Sequence, residues 1–248
     1  MPANLADQAA RDLERAAAIG ARLLTRDEPE WPTTRFAGLD APQVRGHAPV
    51  ALWLRGPARL DSFAEHAVAV VGARAATDYG QRVAYDITGY FAERGWTVVS
   101  GGAFGIDASA HRGALVRSAT TVAVTATGID RYYPTGNQRL LEQITAEGLM
   151  VSEYPPQTPA TRDQFLQRNR ITVALSRAVV IVEGGRVRGG TADTARWARE
   201  LARPVFAVPG PITSAASGGP HALIRDGHAR LITHAARVID DLHTTPGI

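Results

Sequence analysis

The stretch AVAVVGARAATDYGQRVAYDITGYFAERGWTVVSGGAFGIDASAHRG, residues 67–113, alternates apolar runs with glycine turns. Ala67 to Val71 is an apolar run of strand length that ends at Gly72, with Arg74 close behind. Val83, Ile87, Tyr90 and Phe91 then share one face of a helix predicted over 79–94. Trp96 to Val99 predicts a second buried strand, closed by Ser100-Gly101-Gly102-Ala103-Phe104-Gly105, and Asp107 to Leu115 predicts another helix. Strand, glycine turn and helix, twice over, make a parallel βαβ unit. Its loops lie at the carboxyl ends of the strands, where open α/β sheets take their ligands.

Glycine in such loops lets the backbone approach an oxygen-rich ligand, and the following helix offers unpaired N–H groups and a positive dipole end. Ala73 and Arg74 follow Gly72 where a dinucleotide fingerprint needs a second glycine. A Walker loop is excluded because the chain has no lysine: all 27 basic residues are arginine. The bland alternative stays open, that Gly72, Gly101 and Gly105 only permit tight turns.

A length of 248 residues suits one large α/β core with a small appendage. Hydrophobic residues at 45% and charged residues at 21% are ordinary for a globular protein. The net charge is only +3, but the pI near 9.7 and the all-arginine basic set favour bidentate contacts to anions. That permits a nucleic-acid partner, and GC-rich coding accounts for arginine without lysine equally well. With no cysteine, disulfides, thiolate metal sites and a cysteine nucleophile drop out. The N-terminus is too polar for a signal peptide and no apolar run approaches spanning length, so a cytoplasmic protein without membrane contact is expected.

Outside the opening unit, residues 1–23 read as an amphipathic helix and Pro49 to Arg55 as a strand. Residues 1–65 are expected to form a helical and irregular extension packed on a main domain over 66–248. Thr121 to Thr125 and Leu149 to Ser152 predict further strands, with a helix over 138–147 between them. Phe165-Leu166-Gln167-Arg168-Asn169-Arg170 is the densest polar group. On a helix Arg168 and Arg170 diverge in angle, so they suit two points of a polyanion, or one of them pairs with an internal carboxylate such as Glu183. A surface turn with a core phenylalanine is the alternative. Ala178 to Val182 is the most apolar strand, followed by a third glycine-rich loop with Arg186, Arg188, Gly189 and Gly190, a helix over 191–201 and a strand over 204–208.

With these pieces placed, the chain resembles the DNA-processing protein A family, DprA or Smf. The resemblance rests on VAVVGAR (68–74), VVSGGAFGIDASAHRGAL (98–115), GIDRYYP (128–134), SEYPP (152–156), FLQRNRI (165–171), VFAVPGPI (205–212) and LIRDGHARLIT (223–233). It covers most of the chain from Pro29 onward. It implies a Rossmann-like, open, mostly parallel sheet with helices on both faces. The function it implies is to bind single-stranded DNA and deliver it to the RecA recombinase in natural transformation, commonly as a dimer, with neither enzymatic activity nor a cofactor. Carried over residue by residue, the family's G-[ST]-R motif falls on Gly72-Ala73-Arg74, its RNR motif on Arg168-Asn169-Arg170 and its RSG-type loop on Arg188-Gly189-Gly190-Thr191; Phe165, as a base-packing candidate, and Gly101, Gly102, Gly105 and Arg186, from the glycine loops, complete the expected DNA-binding set. Ala73 replaces the usual hydroxyl residue, and Phe104 stands where many relatives carry arginine. The length leaves room for neither a full helical-hairpin domain before the core nor a winged helix after it.

Two rivals are a nucleotide-binding or nucleotide-hydrolysing protein of the phosphoribohydrolase type and a divergent paralogue with a defence or mobile-element role. The first needs a glutamate where this chain has Thr194, and so lacks its evident acid–base group. His66, His111, His221, His228 and His234 show no paired metal-ligand spacing, and G-x-S-x-G is absent. Asp107 reads as a helix N-cap before it reads as a base, and Asp130 is ambiguous.

Overall fold

The computed structural model describes residues 4–63, 65–185 and 189–244. Helix α1 (Leu5–Ala18), with Asn4 accepting the Ala6 N–H, leads into β1 (Ala21–Thr25), the short α2 (Thr33–Phe36) and β2 (Ala51–Arg55). The βαβ unit follows as β3 (Ala67–Val71), α3 (Asp78–Ala92), β4 (Thr97–Ser100) and α4 (Ile106–Leu115). Next come β5 (Thr121–Thr125), α5 (Gln138–Glu147), β6 (Leu149–Ser152) and α6 (Arg162–Ala174). The chain closes through β7 (Ala178–Ile181), α7 (Gly190–Glu200), β8 (Val205–Ala207), α8 (Gly218–Arg225), β9 (Arg230–Leu231) and α9 (Ala236–Thr244).

All nine strands form one sheet in the order β1-β2-β6-β5-β4-β3-β7-β8-β9. From β6 to β9 every pair is parallel; β1 with β2 and β2 with β6 are antiparallel. The order turns back at β3: β4, β5 and β6 build out on one side, β7, β8 and β9 on the other. That reversal opens a crevice at the carboxyl ends of β3 and β7.

Alternate residues of each strand feed opposite layers. Ala67, Ala69, Val71, Val179 and Ile181 pack with α6, α7 and the N-terminal segment, whereas Val68, Val70 and Val180 pack with α3, α4 and α9. The mostly parallel Rossmann-like sheet with helices on both faces is therefore present.

Two expectations change. The first helix stops at Ala18, and residues 21–25 form an edge strand instead of its last turn. Gly20, at φ 70°, takes the left-handed turn between them. Five residues of ARLLT carry too short a pattern to separate strand from helix locally. The N-terminal segment packs on the main domain through the sheet itself: β1 and β2 join it, and Leu24, Trp31, Phe36, Leu39, Leu52 and Leu54 enter its largest core cluster. The 165–170 run is helical, not a turn. Thr161 and Gln164 start α6 with a reciprocal capping box, each side chain accepting the other's backbone N–H.

Candidate nucleic-acid interface

The crevice is a cavity of about 250 Å³ where the three glycine loops meet. Gly72 to Arg74 follow β3, Gly101 and Ala103 follow β4, Gly184, Gly185 and Gly189 lie between β7 and α7, and Gly190 begins α7. Asp107 of α4 and Phe165, Arg168 and Asn169 of α6 complete the wall. Gly105 has φ 73° and serves as the N-cap of α4; a Cβ there would strike the carbonyls of Ala73 and Arg74. The first loop and the start of α4 are thus pressed together, and the Ile106 N–H donates to Ala73 O at 3.2 Å.

Arg74 stands exposed at the mouth. Its guanidinium carbon lies 4.5 Å from the centroid of the Phe165 ring, and the Tyr133 ring lies 5.9 Å from that of Phe165, tilted by 46°. Among the described residues Arg74 enters no ion pair. An aromatic contact orients the cation without neutralising it.

Arg168 is different. It lies 6% exposed beneath the cavity, donates through Nη1 to Val124 O, and crowds Gly101 so closely that a Cβ there would overlap its guanidinium. Its Nε has no hydrogen-bond partner among the described residues. Burial lowers its pKa, while Asp107 works the other way. Asp107 is itself buried, which pushes its carboxyl up against the opposing pull of Arg168, the Ala103 N–H at 3.4 Å, Ser100 and Arg74. Both arginines act on it electrostatically; Gly105, not Asp107, is the N-cap of α4.

Seven of the expected residues line the cavity: Gly72, Arg74, Gly101, Phe165, Arg168, Asn169 and Gly190. Gly102 does not, since its carbonyl accepts from Asn137 and its α-carbon faces Leu141. Gly105 acts from below. Arg170 turns away to the N-terminal segment, donating to His47 O at 2.8 Å, Gln167 O at 3.1 Å and Glu153 Oε1 at 2.5 Å. Its carboxylate partner is Glu153 and not Glu183, which instead accepts from the Thr77 N–H and hydroxyl at the start of α3. Arg186 and Arg188 lie outside the described residues. Thr194 donates to Gly190 O, and Asp130 accepts the Gln157 N–H, so both have local structural partners.

Sequence reasoning missed the groove that runs on from the cavity. It measures about 880 Å³ and shares Arg74, Phe165, Gly189 and Gly190 with the cavity. Arg162 with Phe165 on α6, and Arg196 with Arg199 on α7, are spaced i, i+3 and line it. That spacing was available in the sequence as an arginine–aromatic face on one helix and an arginine–arginine face on the other. Arg196 pairs with Asp193 at 2.9 Å, whereas Arg162 and Arg199 are exposed and in no ion pair among the described residues. No described helix is long and apolar enough to cross a membrane.

The family model for DNA recombination-mediator protein A matches residues 22–243. A putative DNA processing protein DprA of Mycobacterium tuberculosis is 50% identical over 238 residues, covering 94% of this chain and 61% of its own. The chain thus spans about three fifths of the length of that relative. The crystal structure of DNA processing protein A from Streptococcus pneumoniae superposes with a TM-score of 0.82 at 31% identity, over 95% of this chain and 77% of that one. A Helicobacter pylori structure, described as revealing a single-stranded DNA binding mode of DNA processing protein A, gives 0.78 at 28% identity over 92% and 98%.

Proposed function

The chain belongs to the DNA recombination-mediator protein A family, and we propose that its cavity and groove hold single-stranded DNA for recombination. The observation that carries this is Arg74: an exposed, unpaired cation, set on an aromatic ring, at the junction of a glycine-walled cavity and an arginine-lined groove.

One phosphate enters the cavity, where the glycine loops let backbone N–H groups approach and Arg74 adds a charge-assisted, two-pronged contact. Arg168 contributes field from below without needing to touch the strand. A base lies against Phe165 or Tyr133, a contact that every base can make. The following phosphates run past Arg162 and Arg199. Binding follows shape and charge, with little dependence on sequence. The protein acts as a binding mediator, handing the strand to a RecA recombinase in the cytoplasm during transformation, with a second copy of the chain as its partner.

Fluorescence anisotropy of a labelled oligo-dT at two salt concentrations tests the proposal, with duplex as competitor. Neutralising about three phosphates gives a log–log salt slope of about −2. Arg74→Ala is expected to cost about 1.5–3 kcal/mol and make the slope shallower by about 0.7. Unchanged affinity in Arg74→Ala, or equal affinity for duplex, would refute it.

A further inference from the structure

A second cluster of arginines lies at the opposite edge of the sheet. Arg177 immediately precedes β7, Arg203 and Pro204 precede β8, and Arg230 begins β9, so all stand at the amino ends of parallel strands. With Asp241 and Leu242 of α9 they line a cavity of about 250 Å³, far above the roughly 10–15 Å³ that one water needs. We propose that this cavity is an anion site that takes a phosphate group, separate from the DNA interface.

Charge balance points there first. Arg35, 5% exposed on α2, lies close enough to Arg177 and Arg203 for each to repel the others. The carboxylates facing the cluster are Glu65, 3.3 Å from Arg35 and 74% exposed, and Asp241, 2.9 Å from Arg230. Among the described residues, four guanidiniums against these two carboxylates leave an excess of two positive charges, and both carboxylates are partly exposed. Gathering like charges at a partly buried site is costly without a counter-ion.

Hydrogen bonding points the same way. The Nε of Arg203, a lining residue, is buried and has no partner among the described residues, and the same holds for the Nε of Arg35, which does not itself line the cavity. Arg203 makes no side-chain hydrogen bond or ion pair among the described residues, and burial followed by its arginine neighbours pushes it down to about 10. Arg177 uses one nitrogen on Leu242 O at 3.2 Å, which fixes its direction and leaves other donors free. Several donors and an excess charge of two match a dianion with multiple acceptor oxygens, and guanidinium forks suit that geometry. Among the described residues the one aromatic that lines this cavity, Phe206, is fully buried and offers bases no stacking face, which separates it from the strand-binding groove.

The test uses the full chain, titrated by calorimetry with inorganic phosphate and with AMP against chloride of matched ionic strength, with melting curves alongside. Saturable binding and a raised melting temperature are expected, weakened about tenfold or more in Arg203→Met and retained in Arg74→Ala. In chloride alone Arg203→Met is expected to melt no lower than the parent, since a repelled charge is gone; Arg177→Met serves if that variant does not fold. Tighter binding of AMP than of phosphate identifies a mononucleotide as the source of the group, and equal or weaker binding identifies free phosphate. Phosphate affinity unchanged in both arginine variants, or lost in Arg74→Ala, would overturn the site. Single-stranded DNA affinity in Arg203→Met stays at the parent level, so the two sites fail or stand separately.

Discussion

Arg168 and Arg170, two positions apart on α6, are both buried and do unlike work. Arg168 lies under the cavity against Gly101 and Asp107, while Arg170 ties α6 to Glu153 and to the His47 carbonyl. Removing Arg170 strands a half-buried carboxylate and a carbonyl, so Arg170→Ala is expected to lower stability by about 2–4 kcal/mol. Arg74→Ala is expected to leave stability within about 0.5 kcal/mol while DNA affinity falls. Denaturant unfolding beside anisotropy separates the two; a stable Arg170→Ala contradicts the structural role. His111 offers a pH readout. Its Nδ1 meets the Thr121 hydroxyl at 2.8 Å, its Nε2 is buried without a partner, and burial, aided by Arg168 and Arg112, pushes it down to about 3. The unfolded chain binds that proton below about pH 6.5, the folded chain only near 3. Stability from this group is complete above 6.5 and is lost as pH falls through that window, by up to about 1.4 kcal/mol per unit. His111→Gln is expected to flatten the slope between pH 6 and 4 relative to the parent, measured by urea midpoints.

Loops joined to rigid elements set the site. Glu183, at the end of β7, accepts from Thr77 and so holds the start of α3, while the Thr77 hydroxyl also caps Gly80 N–H. The first and third glycine loops are thereby connected across the crevice. Gly101 is where this arrangement has least slack, because the Arg168 guanidinium occupies the space a side chain would fill. Gly101→Ala is expected to displace Arg168 from Val124 O, lowering stability by about 1–3 kcal/mol and weakening DNA binding as well. Thermal melting and anisotropy check both; a variant with parent stability and parent affinity shows that Arg168 can move freely.

Across the molecule, the nine strands place two charged cavities at opposite edges of one sheet, one at its carboxyl ends and one at its amino ends. The N-terminal segment is a working part of that architecture. Without β1 and β2, β6 becomes an open edge, and Leu24, Leu52 and Leu54 vanish from the core. A chain begun at residue 66 is therefore expected to aggregate or to unfold at far lower denaturant, as judged by size-exclusion chromatography and urea titration. A monodisperse, stable product would restore the view of this segment as an appendage.

The βαβ unit, the strands over 121–125 and 149–152, the helix over 138–147 and the meeting of three glycine loops were legible in the chain itself. Each is a long or strongly patterned signal: an apolar run, a glycine, a helical spacing. The sequence also marked Gly72, Arg74, Gly101, Phe165 and Arg168 as neighbours-to-be. It set Arg168 and Arg170 at diverging angles on a helix but did not decide which of them turns from the cavity, or name Glu153 over Glu183 as a partner, because direction around α6 matters only once something packs on each face. β1 carried too few residues to declare itself, and it became a strand because β2 offered an edge. The groove of Arg162 and Arg199, and the cluster of Arg35, Arg177 and Arg203, draw on residues far apart along the chain. Local pattern specifies elements; only their packing decides which charges end up facing one another and which find partners.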